Sequence, residues 1–560
     1  MKRLIFVMIV FCMGSIVMLS GCSTSESPEP PVAVGLPVST PNYPATPEEN
    51  GREEIIKLLS DQGFTKIIKE VTINSDTGFL AENMSGKKCF VLRGKPYSIG
   101  YQMGALDPEG AYKMAVDYTD KILSDTLESE PDSFLFKLAK DMAVTLAQEA
   151  VTDKAIPDYL LYEMQGVADG ATKAGGKEVT FDDVLLLNEG YDALYSMVLT
   201  LELPLIKIVQ KELMGCNGFV LSGNATAGGK VFHGRDFMFS TGGIYQDVTA
   251  MAIYLPDRGY PFVTLAAPGM VGQTTGLNSK GLSMGCDVVM GGATRNTPGL
   301  GCLLVIRDII QNTANLDEAV ERMKQQNRGV TWIYVLADDE RSAKYTNGIV
   351  IEQGMSFNKW GNEFDSINDL TLDVRIKYAD QIAKLPNEYP ERGLLIRTQE
   401  WVFPEAFLNE DMFPKQEEVN PDVVIACNHY IHPFMTLTTF EPWVNMLQTG
   451  YWKGTKTLQR YSYLNSIISN AMGKGKIDFA KARDLIDFMN PLRYVDNKFI
   501  INGFSPDGRY KVGEPIEGHH DIFDNQELIM ECLYGYYKVD EPWVRVGLKP
   551  FAELAAEINQ

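Results

Sequence analysis

Histidine is scarce in this chain: only His233, His429, His432, His519 and His520 occur in 560 residues. So few leave little supply for a histidine-based metal centre. There is no HExxH, no GxSxG, no GxxxxGK[ST] and no EF-hand spacing, and no GxGxxG opens a helix. Those absences remove the usual zinc-protease, serine-hydrolase, nucleotide and calcium readings. None of the eight cysteines forms a C-x-x-C pair, which argues against a zinc site. Positive charge is also short, with 51 Lys+Arg against 73 Asp+Glu and a net charge of −22. Such a field repels nucleic acid, and no local basic cluster offsets it. No repeat recurs at a period of about 20–50 residues. With 45% hydrophobic and 22% charged residues the composition is that of an ordinary globular chain. It can bury a large core, so a disordered scaffold, a disulfide-stapled mini-protein and a polytopic membrane protein are all excluded.

The first residues read as an address. Lys2 and Arg3 precede an apolar run from Leu4 to Leu19, which is shorter than the roughly 20 residues a spanning helix needs. It ends in Leu19-Ser20-Gly21-Cys22, which resembles a bacterial lipobox. That resemblance implies removal of residues 1–21, lipidation of Cys22, and anchoring of the protein to a membrane outside the cytoplasm. A plain signal peptide with an incidental Cys, or an uncleaved anchor, is the alternative. Residues 22–50 are rich in proline and lack apolar periodicity, so they read as a tether. Fully extended it would reach on the order of 85 Å.

Residues 51–215 read as mostly helical, with amphipathic stretches at 53–59, 112–127 and 133–151 and a helix start at Asp182-Asp183. The character changes at Cys216. Short alternating runs with Gly and Pro turns follow at 218–221, 230–239, 249–255, 260–266 and 275–286. One helix is expected over 303–326 and a hairpin over 331–352. Helices return at 457–472 and 478–489, and strands at 528–537 and 543–548. Strands and helices fall in separate blocks, which argues for an α+β fold. The expected organisation is leader, tether, a helical segment 51–215 and a sheet-rich segment 216–560.

The stretch most able to carry chemistry runs from Cys216 to Phe239. A Cys opens a strand, a Gly-rich turn follows, and a second strand returns with Arg235 and Asp236. A hairpin brings that pair beside the Cys strand. Arg235 would favour a thiolate, and a carboxylate would orient or deprotonate the Cys nitrogen.

This stretch resembles the start of the catalytic subunit of N-terminal-nucleophile (Ntn) amide hydrolases, most closely the acyl-CoA:penicillin acyltransferase family. Bile salt hydrolases, penicillin V acylase and acid ceramidase are more distant cousins. Further motifs fit in order. Gly94, Gly100 and Gly104 match G-x-x-x-x-x-G-x-x-x-G, and Glu163 to Gly170 match E-x-x-G-[IMV]-A-x-G. Gly276 to Leu282 match G-x-N-x-x-G-L, Asn428-His429 resembles the [TC]-N-H strand, and Arg460 resembles the Arg opening the next helix.

The resemblance implies an αββα sandwich of two antiparallel sheets between helix layers. It implies self-cleavage between Gly215 and Cys216, after which 51–215 is a propeptide that departs or stays bound as an α subunit. Cys216 then carries both the nucleophilic sulfur and a free α-amine, whose ordinary pKa near 8 suits a general base. Arg235 would sit against the thiolate or substrate carbonyl, and Asn428 would donate to the oxyanion. Arg460 would hold the Asn428 region or a carboxylate. No metal or cofactor is implied; the expected partner is a small acyl-amide substrate.

Two positions depart from the family pattern. Relatives carry Asp three residues after the Arg, where Met238 stands here. Either Asp236 substitutes, or the acid comes from elsewhere. An Asn that often helps the oxyanion hole is here Asp287. A carboxylate there donates only when protonated, or is itself the missing acid. Each residue also has a plain structural reading. Cys216 would be a buried strand Cys, Arg235-Asp236 a surface ion pair, Asn278 turn chemistry, and Arg460 a solvated helix face. His519-His520 read as loop residues. Trp443, Tyr451, Trp452, Tyr461 and Tyr463 would pack a core or line an acyl pocket. The rival functions are a phospholipase-B-like esterase on the same fold and a non-catalytic ligand-binding surface lipoprotein.

Overall fold

Around Cys216 the expected alternation becomes two hydrogen-bonded sheets. The computed structural model describes residues 51–127, 129–200, 214–239, 243–289, 299–340, 342, 344–354, 393–398, 421–431, 435, 457–488, 493–495, 498–500, 518–536 and 542–558. The smaller sheet has six antiparallel strands. Their spatial order is β13 (Val423–Cys427), β4 (Met214–Leu221), β5 (Phe232–Phe239), β14 (Gly518–Asp524), β15 (Ile529–Leu533) and β16 (Val544–Gly547).

The larger sheet has ten strands. It runs β1 (Lys66–Ile73), β2 (Asp76–Glu82), β3 (Lys88–Gly94), β6 (Ala250–Pro256), β7 (Phe262–Ala266) and β8 (Thr275–Asn278). It continues with β9 (Ser283–Val288), β10 (Trp332–Ala337), β11 (Gly348–Gln353) and β12 (Leu394–Arg397). All neighbours are antiparallel except β3 and β6, which pair parallel. Three of its strands therefore come from the stretch read as mostly helical. β1 was hard to see because it is an edge strand whose residues alternate only between exposed and half-buried.

Side-chain alternation along β4 orders the layers. Phe219 and Leu221 pack with Leu464 and Ile468 of α9 (Thr457–Gly473) and Leu485 of α10 (Phe479–Phe488). Val220, on the other face, packs with Ile333, Val335 and Val350 of the larger sheet. The far face of that sheet is covered by α7 (Cys302–Asn312), whose Arg307 guanidinium lies 4.6 Å from the Tyr254 ring. The layers are thus helix, sheet, sheet, helix, the αββα arrangement. Burial on both faces explains why β6, β7, β10 and β11 are largely apolar along their length rather than alternating as the sequence reading expected of β6 and β7. The helix expected over 303–326 is two, α7 and α8 (Leu316–Gln325). Asn315 caps the second by accepting from the Glu318 amide.

The glycine motifs pack helices. α2 (Pro96–Leu106) and α5 (Asp158–Gly175) cross so closely that a Cβ on Gly100 would stand 1.9 Å from the Glu163 carbonyl oxygen. A Cβ on Gly166 would stand 2.3 Å from the Tyr97 carbonyl oxygen. Glu163, the acid of the second motif, holds α7 through two 2.8 Å bonds from Arg307. Gly100→Ala must push two backbones apart, so it is expected to destabilise the protein by about 3 kcal/mol. Denaturant unfolding would read this as a lowered midpoint. An unchanged midpoint would contradict the close crossing.

Candidate active site

The β4–β5 register decides what meets Cys216. Cys216 lies opposite Phe237, Asn217 opposite Asp236, and Gly218 opposite Arg235. Directly opposed residues share a face and successive residues alternate. Cys216, Arg235 and Phe237 therefore face the larger sheet, while Asn217 and Asp236 face the helix layer. β14 extends both sets, setting His519 opposite Phe237, His520 opposite Asp236, and Asp521 opposite Arg235.

On the inner face the Cys216 amide donates to Asn428 Oδ1 at 2.7 Å, and Asn428 Nδ2 donates to the Val288 carbonyl at 2.9 Å. An N–H on one side and a C=O on the other fix which end of the amide is which. Asn428 does reach Cys216, but through its acceptor. One of the two hydrogens of its Nδ2, the donor expected at the oxyanion, goes to the Val288 carbonyl. Asn428 is thus arranged to hold the Cys216 nitrogen.

Arg235 is fully buried and paired with the fully buried Asp287; its guanidinium also donates to the Cys286 carbonyl. Burial pulls the guanidinium's pKa down, but the charges of Asp287, Cys216, Cys286 and Asp521 outweigh it and hold Arg235 cationic. Gly285 makes room for this side chain, since a Cβ there would stand 2.7 Å from Arg235 Cδ. Asp287 is therefore brought into the site as the partner of Arg235.

Asp236 lies on the other face. It accepts from Asn217 Nδ2 at 2.6 Å, and its Oδ1 is 3.0 Å from His520 Nδ1. Asn217 Oδ1 in turn accepts from the Cys427 thiol at 3.2 Å. This buried chain ties β13, β4, β5 and β14 together directly behind Cys216. It keeps Asp236 from the sulfur, because adjacent strand residues cannot share a face. His519 and His520, expected in a loop, are buried in the middle of the smaller sheet.

Gly215 is a β4 residue hydrogen-bonded within the sheet opposite Met238. Arg460 lies on α9, and its side chain is outside the described residues, as are Cys22, Trp443, Tyr451 and Trp452. Tyr461 packs in the core between sheet and helices, edge-on to His429 at 5.6 Å. Asn278 is turn chemistry, accepting from the Lys280 and Leu282 amides while its Nδ2 grips the end of α7.

Cys216 forms part of the wall of a cavity of about 970 Å³, counting the space at its mouth. Phe237, Tyr245, Thr274, Cys286 and Val288 surround it at that end. Ile122, Leu123, Leu186, Met270, Leu303 and Trp332 make the rest largely apolar. Sequence reasoning missed Thr274, His519 and Asp521. The alternation His519, Asp521, Phe523 was the one signal for a strand there, and its polar residues hid it. Among the described residues no group of three or more His, Cys, Asp or Glu is placed to hold a metal ion.

Residues 233–357 match the family described as acyl-coenzyme A:6-aminopenicillanic acid acyl-transferase. An uncharacterized protein of Archaeoglobus fulgidus is 31% identical over 86% of this chain and 68% of its own length. Three solved structures are more loosely similar. The N-acylethanolamine-hydrolyzing acid amidase ortholog of Caenorhabditis elegans is 12% identical over 55% of this chain and 93% of that one, with a TM-score of 0.30. A variant of the conjugated bile acid hydrolase of Clostridium perfringens is 10% identical over 60% and 92%, at 0.32. The penicillin V acylase of Agrobacterium tumefaciens is 13% identical over 58% and 84%, at 0.30. Over most of its length the chain is thus a relative of the Archaeoglobus fulgidus protein, and within residues 233–357 it carries the pattern of the acyl-coenzyme A:6-aminopenicillanic acid acyl-transferase family.

Proposed function

We propose that this protein cuts itself between Gly215 and Cys216 and then uses Cys216 to cleave, or transfer the acyl group of, a linear amide with an apolar acyl chain. The observation that carries the reading is the double placement of Cys216. Its nitrogen is held by Asn428 Oδ1 while its side chain faces the apolar cavity beside Phe237. In the self-cleavage the thiol adds to the Gly215 carbonyl, the chain shifts from nitrogen to sulfur, and water releases the thioester. The nitrogen thereby becomes an α-amine still within reach of Asn428.

In turnover that amine takes the thiol proton as sulfur adds to the substrate carbonyl, with the Arg235 cation stabilising the negative charge that develops. Collapse breaks the C–N bond and the leaving amine departs with the proton. Water, or an acceptor amine, then resolves the thioester on sulfur. The proposal extends to the leader read from the sequence, in which Cys22 carries the lipid that anchors the enzyme outside the cytoplasm.

A panel of N-acyl amides of increasing chain length tests the substrate class. Each CH₂ buried in the cavity is worth about 0.8 kcal/mol, so kcat/KM is expected to rise about fourfold per CH₂ until the cavity is filled. A flat response, or no amide cleavage at any length, would sink the reading.

A further inference from the structure

One buried polar group near Cys216 has no part in the chemistry above. Asp521 Oδ2 lies 2.9 Å from His519 Nδ1, and His519 Nε2 lies 3.0 Å from the Thr274 hydroxyl. All three residues are buried. The imidazole stacks on Phe237 at 5.0 Å, so its ring is fixed. Thr274 ends the row on the wall of the same cavity as Cys216.

We infer that Asp521, His519 and Thr274 form a proton relay for the water or acceptor amine that resolves the Cys216 thioester, an inference that rests on the function proposed above. The Asp521 carboxylate, 2.9 Å from Nδ1 as an electrostatic neighbour rather than a hydrogen-bond partner, favours the tautomer with its proton there, which leaves Nε2 free to accept from the Thr274 hydroxyl. Thr274 then keeps a lone pair for the cavity. As water oxygen bonds to the thioester carbon, its proton passes to Thr274 Oγ1 and the Thr274 proton passes to His519 Nε2. The imidazolium rests against Asp521. When the C–S bond breaks, the thiolate recovers that proton by the reverse path, so acid, thiol and neutral relay are restored.

The groups around His519 suit this. Arg235 on β5 lies opposite Asp521 across the strands. Tyr245, in the short helix Ile244–Val248, stays protonated because burial and the Asp521 charge push its phenol up. Burial and Asp521 likewise push the Cys532 thiol on β15 well up, so it adds no competing charge. Cys286 on β9 and Cys216 on β4 complete the set. Thr274 belongs to the loop entering the larger sheet while the Cys216 nitrogen belongs to the smaller one.

The test follows a fatty-acyl p-nitroanilide in the unaltered full chain, Thr274→Val, Thr274→Ser and His519→Gln. Unaltered protein should release nitroaniline and fatty acid together. Thr274→Val and His519→Gln should release the first equivalent of nitroaniline at the unaltered rate and then slow about 100-fold, as loss of a general base predicts. Intact mass after acid quench should find the acyl group on the Cys216 fragment in those two variants. Thr274→Ser should restore turnover. The relay is overturned alone if Thr274→Val releases acid normally, if Thr274→Ser fails equally, or if the first equivalent is lost while self-cleavage persists. No nitroaniline and no self-cleavage in the unaltered protein would overturn the relay together with the proposed function.

Discussion

Cys216→Ala is expected to lower amide cleavage by on the order of 10⁵-fold, the scale on which a catalytic nucleophile is lost. The loss is larger than for any supporting residue because one side chain removes two functions. Without sulfur there is no thioester, and without self-cleavage there is no free α-amine to act as base. The fold should survive, since Cys216 spans only a small volume at the cavity wall and β4 keeps its pairing with β5 and β13. Turnover of the best N-acyl amide checks the activity, and circular dichroism checks the fold. Substantial remaining turnover in a folded variant would place the chemistry on another residue.

The second large effect is on stability. Arg235→Met leaves the Asp287 carboxylate buried with its cation gone, in a site where both side chains are fully buried. Breaking one half of such a pair costs about 3–5 kcal/mol. Amide cleavage should fall as well, because the cation beside Cys216 is lost. Combining Arg235→Met with Asp287→Leu should recover much of the stability but none of the activity, since the uncompensated charge is gone and the cation is still missing. Denaturant midpoints of the single and double variants measure this. A single variant as stable as the unaltered protein would mean that Asp287 is held by other groups.

Much of this site was legible before the structure. A Cys opening a strand, a Gly-rich turn and a returning Arg-Asp strand define a hairpin, and the hairpin is there. What the strand reading could not supply was its faces. Arg235 and Asp236 are neighbours in the chain, so the two-residue period sends one toward Cys216 and the other behind it. Asn428 was found through its motif. Which end of its amide meets Cys216 depends on the Val288 carbonyl, which is remote in sequence. The glycine motifs were visible as spacing alone, and their physical meaning needs two helices in contact. His519 and Asp521 were missed because a strand buried on both faces usually advertises itself by apolar residues, and β14 carries His and Asp instead. The strands of 66–94 were missed for a related reason. β1 is an edge strand with lysines, and β2 and β3 begin and end in charged or glycine residues that leave only a few apolar positions between them.

The central claim is that Cys216 is a nucleophile made N-terminal by its own attack. Intact-mass analysis of the purified full chain beside Cys216→Ala tests it most directly. The account predicts a fragment of roughly 38 kDa beginning at Cys216 in the unaltered protein and a single uncut chain in the variant. An unaltered chain that stays whole across the Gly215–Cys216 bond, or a variant that is cut there just as well, would contradict it.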